Sequence, residues 1–428
     1  MSLSSCYKRW LEGVQMLKGK TLKTTIIILF VLSIALIALI NIRDRHVKYE
    51  FPKGIGVHIH GPLKQENLSL LKKSNVTFVR LDLRWAKIEK KKGVYDFKGA
   101  GFDESYEILK KMNITPYFTL DYSNDLYEKK QSIRTEEGRK AFSNFVREAV
   151  KRYGDKGVIW EVWNEPNEEG FWNPQPSYND YTLLVKEVAP IIKRENKSKG
   201  YLVGPALAGL YDGVLPWLEE TFKRGILNDI DAISVHPYRG AAPETVISDY
   251  QRLEKMINKY TNEDIPIISG EWGYSSTELS ERDQAKYLER MLLVNIYMNI
   301  PVSIWFDWRN YGEDFNNKEH NYGLLKKNQT PKLSYKSMTT ITSILKGFEF
   351  KKRLEYGQSN DYILQFENKK HEKILVFWTT EKPHNITVSL PSSTGKLVSS
   401  FGKKQKVVWN QEEFNFEFSN SPQYLIID

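Results

Sequence analysis

The chain has 428 residues, of which 41% are hydrophobic and 27% charged, which allows two or three domains or one large α/β barrel with an appendage. Its net charge of +9 is uneven: residues 1–50 hold eight Lys or Arg and three Asp or Glu, a net of +5, which leaves +4 for residues 51–428. Since the remainder has no basic stripe, no nucleic-acid partner is expected. The one cysteine, Cys6, excludes a disulfide scaffold, and it leaves no thiolate nucleophile in the rest of the chain.

The first predicted element is an apolar run without charge at residues 24–40. It is just long enough to cross a bilayer, which takes roughly 17–25 residues, and the Lys and Arg residues before it place the N-terminus inside. We therefore expect a cytoplasmic segment at 1–23, an uncleaved transmembrane helix at 24–40, a linker at 41–53 and an extracytoplasmic remainder. A cleaved signal peptide is the alternative, but the run offers only a poor cleavage site.

From residue 54 the sequence repeats a short apolar run, a polar or Gly/Pro break and a helical stretch. Helices are predicted, for example, over 135–154 and 280–299. Strands that alternate with helices predict a parallel sheet, and eight such units match a (β/α)8 TIM barrel, here over 54–345. The eight predicted strands are 54–61, 77–85, 114–123, 158–166, 200–209, 230–238, 265–276 and 300–312.

Residues 346–428 have a different hydrophobic pattern: apolar and polar residues alternate between turn signals, and no helical period appears. This pattern predicts a small C-terminal antiparallel β-sandwich domain. The segment has no obvious reactive cluster, so we expect it to act in packing or positioning.

Each predicted barrel strand ends in polar or aromatic residues. A barrel of this class places its active site at the carboxyl ends of the strands, so these side chains are expected to line one cleft. They are His58, His60, Asp82, Arg84, Asp121, Asn164, Glu165, His236, Tyr238, Glu271, Trp305 and Asp307.

Two of these residues form the pair of carboxyl groups that glycosidic-bond hydrolysis needs. Glu165 ends the fourth strand and Glu271 ends the seventh, on opposite sides of the barrel mouth. Strand alternation predicts that Ser269 shares a face with Glu271, and Trp163 with Glu165. Glu161 lies one layer deeper, and we interpret it as a buried structural carboxylate paired with a barrel arginine.

Three motifs resemble those of one enzyme group. "WNEP" at 163–166 and "SGEWG" at 269–273 resemble the acid/base and nucleophile motifs of the clan A glycoside hydrolases. "VRLDLRWAKIEKKKGVYDF" at 79–97 resembles the second strand of that clan's β-xylosidase/α-iduronidase-like and cellulase-like families. Within the clan, the sequence is most similar to the group that includes bacterial exopolysaccharide-cleaving endoglycosidases.

The resemblance implies a retaining glycoside hydrolase that cleaves a cell-surface or secreted polysaccharide from within, without a cofactor; a cellulase-like β-glucanase is the alternative. Glu165 would be the general acid/base and Glu271 the nucleophile, with Asn164 bound to the sugar 2-hydroxyl. Arg80 would hold Glu271 ionised. Tyr238 and His236 would contact the reacting sugar and Trp305 would be its floor. Further implied subsite residues are His58, His60, Trp85 and Trp272.

Two other classes of protein remain open at this point. Metal-dependent amidohydrolase barrels also begin with His-x-His, and His58, His60, His236 and Asp307 mimic their ligand set, although the fourth and fifth strands lack the further ligands. A non-catalytic sugar-binding barrel would keep the tryptophans and lose one carboxylate. The pattern predicts no metal, a polysaccharide as partner, a membrane contact through the N-terminal helix and no obligate protein partner.

Overall fold

The computed structural model describes residues 51–428 except 65–67, 155–156, 196–199 and 411. The predicted cytoplasmic segment, the membrane anchor at 24–40 and most of the linker lie outside the described residues. Among the residues that are described, no helix is both long and apolar enough to cross a bilayer.

Eight parallel strands close into a barrel in sequence order, which confirms the predicted (β/α)8 fold. The barrel closes where β1 pairs with β8, in a register that sets Gly54 opposite Val302 and Gly56 opposite Ile304. The strands are β1 Gly54–His58, β2 Phe78–Arg84, β3 Thr115–Asp121, β4 Ile159–Val162, β5 Tyr201–Ala208, β6 Ala232–His236, β7 Ile267–Trp272 and β8 Val302–Trp305.

Helices cover the outside of the barrel and bury an apolar face against it. In the helix that begins at Glu136, Phe142 and Phe145 are fully buried, and the Thr135 side chain accepts the Gly138 N–H as an N-cap. The helices are α1 Leu68–Lys73, α2 Trp85–Ile88, α3 Phe102–Met112, α4 Glu136–Tyr153, α5 Tyr178–Glu195, α6 Leu215–Lys223, α7 Val246–Ile257, α8 Glu281–Tyr297 and α9 Leu333–Ile344.

A separate antiparallel β domain follows the barrel, as the alternating pattern predicts. Its six-stranded sheet has the order β14-β13-β16-β11-β10-β9, and β12 pairs with β15 in a second ladder. The predicted boundary at residue 346 stays a prediction. The strands are β9 Phe348–Arg353, β10 Asp361–Asn368, β11 Lys373–Thr379, β12 His384–Ser389, β13 Ser393–Ser399, β14 Lys404–Trp409, β15 Glu413–Phe418 and β16 Gln423–Ile427.

The large sheet of the β domain is apolar on both faces. On one face, Phe377 and Leu425 pack against Phe416 of the small ladder and form a core of their own. On the other face, Trp378 and Tyr424 belong to the same hydrophobic cluster as the barrel helices. Since successive strand residues point to opposite faces, one sheet serves both cores.

Candidate active site

Strand β4 ends in an irregular turn that carries the first candidate carboxylate. After Val162, both Trp163 (φ +70°) and Glu165 (φ +50°) adopt left-handed backbone conformations, which cost L-residues roughly 1–2 kcal/mol each. Strand alternation therefore stops at Val162, and the expectation that Trp163 and Glu165 share a face is wrong. The Trp163 indole packs in the helical layer near Phe142, whereas Glu165 reaches His236 at the barrel mouth.

The environment of Glu165 favours a protonated carboxyl group. Burial raises the pKa of Glu165 to about 7; the positive charge of Arg80 opposes this shift, and the negative charge of Glu161 adds to it. Oε1 of Glu165 lies 2.8 Å from Nδ1 of His236, and burial lowers the pKa of His236 to about 4, so the imidazole is neutral at neutral pH. Near pH 7, Glu165 can therefore both donate and accept a proton.

Glu271, near the end of β7, lies in a different environment. Its Oε2 accepts a hydrogen bond from Arg80 Nη1 at 2.6 Å, and its Oε1 accepts one from the Tyr238 hydroxyl at 2.8 Å. Nδ1 of His58 lies 3.9 Å from Oε2. A guanidinium and a hydroxyl thus both point at this carboxylate and stabilise its negative charge.

The two carboxyl groups are close enough to act on one bond. A carboxylate oxygen of Glu165, one of Glu271 and a ring nitrogen of His236 all lie within 4.8 Å of one another. Retaining glycosidases hold their two carboxyl groups roughly 5–5.5 Å apart, whereas inverting enzymes need roughly 6.5–9.5 Å to admit a water molecule. The separation therefore matches a retaining pair.

Arg80 and Glu161 form a buried ion pair beneath the cleft. Nε and Nη2 of Arg80 donate to Glu161 Oε2 at 3.0 and 2.8 Å, which agrees with the interpretation of Glu161 as a structural carboxylate paired with a barrel arginine. Burial alone would raise the pKa of Glu161, but the positive charge of Arg80 and hydrogen bonds from Ser234 and Tyr117 lower it below its usual value. Further donors to Glu161 are Tyr117, Thr119 and Ser234.

Asn164 is oriented by the same arginine. Its side-chain oxygen accepts from Arg80 Nη2 at 2.7 Å. Because a guanidinium group only donates, this contact must be made by the amide oxygen, and the amide NH2 stays available as a donor beside Glu165. Asn164 can thus donate to a sugar hydroxyl, as the resemblance implies.

His58 and His60 lie together at the end of β1, with ring centroids 4.6 Å apart. Nε2 of His58 is 3.4 Å from Asp82 Oδ1, and Nε2 of His60 is 3.2 Å from Asp307 Oδ2. His58 therefore lies between Asp82 and Glu271, and His60 lies beside Asp307. The ligand atoms of His58, His60 and Asp82 lie within 4.8 Å of one another, which is a spacing that a cation would accept.

His236, however, does not join this group. It clusters with Glu165 and Glu271 instead, so the set of His58, His60, His236 and Asp307 is divided between two places. A single amidohydrolase-type metal centre is thus not assembled from these four residues.

The structure does not bring the three predicted tryptophans to the cleft surface. Trp85, Trp272 and Trp305 have no exposed surface. Nε1 of Trp85 donates to Glu89 at 2.6 Å, Nε1 of Trp305 donates to the Tyr322 carbonyl at 3.2 Å, and the Trp272 ring lies under a guanidinium group. Their predicted contact with sugar does not fit this burial. Alternation along β8 turns Trp305 toward the helices, and the register shift in β7 between Ser269 and Trp272 pairs Trp272 with Trp305 in the same hydrophobic cluster.

Phe306, one residue beyond β8, takes the position expected for Trp305. Its half-buried ring stacks on His58 at 5.4 Å and meets the edges of Tyr238 and Tyr322 at 6.3 and 5.3 Å. The signal that would have found it is register: Ile304 faces the barrel interior opposite Gly56, and Phe306 is the next residue of that parity.

The architecture and this pair of carboxylates define a class, the glycoside hydrolases of clan A. Residues 49–312 match the family described as Cellulase (glycosyl hydrolase family 5), which is more than half of the chain, so the chain belongs to that family. A cellulase-like family is one of the two that the motif at 79–97 resembles.

Solved structures extend the similarity beyond that match. A family 39 glycoside hydrolase from the gut symbiont Bacteroides cellulosilyticus WH2 is 26% identical with a TM-score of 0.75, and the alignment covers 88% of this chain and 81% of that one. A family 39 β-xylosidase from Caulobacter crescentus is 14% identical (TM-score 0.65, 89% and 98% covered). A family 30 endoxylanase from Clostridium papyrosolvens C71 is 12% identical (TM-score 0.62, 89% and 97% covered) and shares the fold.

Proposed function

We propose that this chain is a retaining glycosidase in which Glu165 is the general acid/base and Glu271 the nucleophile. The observation that carries the proposal is the approach of one carboxyl oxygen of Glu165 and one of Glu271 to within 4.8 Å, combined with the different environments of the two groups. A buried Glu165 with a pKa of about 7 suits proton donation, and a Glu271 beside Arg80 suits attack as an anion.

The reaction follows from these positions. Glu165 gives its proton to the glycosidic oxygen while Glu271 attacks the anomeric carbon, which breaks the bond to the leaving sugar and forms a glycosyl ester. Glu165, now a carboxylate, takes a proton from water as that water attacks the same carbon and releases Glu271. Asn164 donates to the 2-hydroxyl, Tyr238 steadies Glu271, and Phe306 lies beneath the reacting sugar.

We further propose an endo-acting enzyme for a cell-surface or secreted polysaccharide, with an exopolysaccharide as the first candidate and a β-glucan as the second. The β-glucan is kept as a candidate because the family is described as cellulase and a neighbour in fold (13% identical, TM-score 0.61) is described as an endo-β1,6-glucanase. An uncleaved anchor at 24–40 would hold the enzyme outside the cytoplasm, and membrane fractionation tests that part of the proposal.

The catalytic proposal is tested with Glu165→Gln and Glu271→Gln, which keep side-chain size and remove the charge. Each variant should lose at least about 10³-fold in kcat on xylan, cellulose and β-1,6-glucan oligosaccharides, with unchanged thermal unfolding. Azide should restore turnover of a nitrophenyl glycoside in Glu271→Ala and give the azide product of inverted configuration. Wild-type turnover in either Gln variant, or a product of retained configuration with azide, would refute the assignment.

A further inference from the structure

The most exposed aromatic rings of the described residues lie on loops at the mouth of the barrel. Tyr211 is 58% exposed in the loop after β5, and Tyr311 and Phe315 are 61% and 62% exposed in the loop after β8. An exposed Tyr or Phe ring offers a large flat apolar face, and such rings are enriched at binding surfaces. Loops at this end of a barrel surround the active site.

Tyr311 is connected to the nucleophile through a series of ring contacts. His58 lies 3.9 Å from Glu271, its ring meets that of His60 at 4.6 Å, and His60 meets the Tyr311 ring at 5.5 Å. The ammonium group of Lys327 lies 5.7 Å from the Tyr311 ring centroid and donates to the Tyr311 carbonyl at 2.7 Å. The tyrosine is thus held in place on the Glu271 side, with most of its surface facing solvent.

The ring of Tyr211 packs against two glycines. A Cβ atom built at Gly209 would lie 2.6 Å from the Tyr211 ring, and one at Gly213 would lie 3.1 Å from it, so the ring rests against bare backbone. Gly209 also needs its freedom of conformation, since its φ is +80°. Backbone on one side leaves the rest of the ring open to solvent.

The loop that carries Tyr211 is fastened beside the acid/base residue. Asn167, two residues after Glu165, bonds both the carbonyl and the N–H of Ala208 through its side-chain amide, at 3.1 and 2.9 Å. The backbone N–H of Glu165 donates to Ala206 at 3.1 Å, and that of Gly209 donates to the His236 carbonyl at 2.9 Å. Tyr211 therefore lies on the Glu165 side.

We propose that Tyr311 and Tyr211 are two sugar-stacking subsites on opposite sides of the scissile bond, which rests on the proposed function. Glu165 protonates the leaving oxygen, so the leaving-group sugars run over Tyr211 and the sugars of the glycone run over Tyr311. The ligand is a run of pyranose residues whose equatorial hydroxyls leave flat C–H faces to stack on aromatic rings. Subsites on both sides make the enzyme cut within the polymer.

The test compares Tyr211→Ala and Tyr311→Ala with Leu183→Ala, a 49%-exposed apolar residue on outer helix α5. The substrates are xylohexaose, cellohexaose and the matching monosaccharide fluorides. The single sugar of a fluoride occupies only the reacting-sugar position, and its small leaving group reaches no other subsite. Each Tyr variant should lose about tenfold in kcat/KM on the hexasaccharide and stay within twofold of wild type on the fluoride. Leu183→Ala should match wild type on both.

Product analysis by mass spectrometry gives the sharper readout. Loss of Tyr311 should move cleavage toward the non-reducing end, and loss of Tyr211 should move it toward the reducing end. An unchanged pattern, a shift in the same direction in both variants, or release of single sugars from a chain end by wild type would overturn the subsite proposal while leaving the glycosidase proposal intact. If wild type cleaved neither the fluorides nor the hexasaccharides, both the subsite proposal and the proposed function would fail.

Discussion

Glu165 and Glu271 have the same side chain but different hydrogen-bond partners. Glu271 accepts from Arg80 and Tyr238, whereas Glu165 has a neutral imidazole as its hydrogen-bond partner. Arg80 serves the whole cleft, because it also holds Asn164 and the buried Glu161. The charge of Glu161 adds to the raised pKa of Glu165, so a residue that never meets substrate helps to set the proton donor.

The pH dependence of kcat/KM should therefore report the ionisation of Glu165. Since this proton must be present for leaving-group protonation and the pKa of Glu165 is raised to about 7, kcat/KM for an oligosaccharide should fall tenfold per pH unit above about pH 7. A glycosyl fluoride needs little acid assistance, so its kcat/KM should show no such loss. An oligosaccharide profile that stayed flat to pH 9 would contradict the role of Glu165.

At the scale of elements, alternation along a strand predicted the site only where the strand stays regular. Glu271 lies at the mouth, as its position at the end of the seventh strand predicted, but alternation does not explain its direction, because Gly270 also faces the barrel interior and the register of β7 shifts between Ser269 and Trp272. The expectation that Ser269 shares a face with Glu271 is therefore wrong, since Ser269 pairs with Ser303, whose side chain bonds Asn295 in the helical layer. At the end of β4, two left-handed residues interrupt alternation, and Asn-Glu-Pro gives no rule for the direction of each side chain. At β8, the inward parity depends on the register with β1, which lies far away in sequence, so Trp305 was chosen in place of Phe306.

Strand β7 also contains a glycine that fits only without a side chain. A Cβ atom at Gly270 would lie 2.2 Å from Ser234 Oγ, 3.0 Å from the Tyr117 hydroxyl and 3.1 Å from Glu161 Oε1. Gly270→Ala should push apart the donors of Glu161 and destabilise the protein by about 1–3 kcal/mol, as overpacking does. Urea unfolding measures the change.

Gly170→Ala is the matched control, because a Cβ atom there meets nothing within 4 Å. Ser234→Ala removes the closest contact, so the double variant Gly270→Ala/Ser234→Ala should be destabilised by less than the sum of the two single changes. A Gly270→Ala variant as stable as the Gly170→Ala control would show that the network is not tightly packed.

Over the whole molecule, the barrel and the β domain are joined by buried polar contacts as well as apolar ones. Nε1 of Trp378 in β11 donates to Glu244 Oε1 at 2.8 Å, and Arg290 of α8 binds both oxygens of the same carboxylate. The fold class of each domain was predictable from the periodicity of its apolar residues, but the contact between the two domains was not. The strands of the large sheet are apolar on both faces, and only tertiary packing decides which face meets α8.

A second buried contact of this interface titrates in the physiological range. Glu289 of α8 accepts from the Tyr424 hydroxyl of β16 through Oε1, while its Oε2 has no hydrogen-bond partner among the described residues. Burial raises the pKa of Glu289 from 4.5 to about 8, and the hydrogen bond from Tyr424 opposes this shift only in part. The folded protein thus keeps a proton on Glu289 at neutral pH.

A raised carboxyl pKa makes the folded state hold more protons than the unfolded one between pH 4.5 and about 8. The contribution of Glu289 to stability is therefore fully present below pH 4.5 and is lost as the pH rises through 8, at up to about 1.4 kcal/mol per pH unit. Glu289→Gln copies the protonated side chain and keeps the acceptor for Tyr424. Its free energy of unfolding, relative to that of wild type, should rise steadily from pH 5 to pH 8 in urea titrations. A constant difference between the two proteins over this range would show that Glu289 is ionised within the interface.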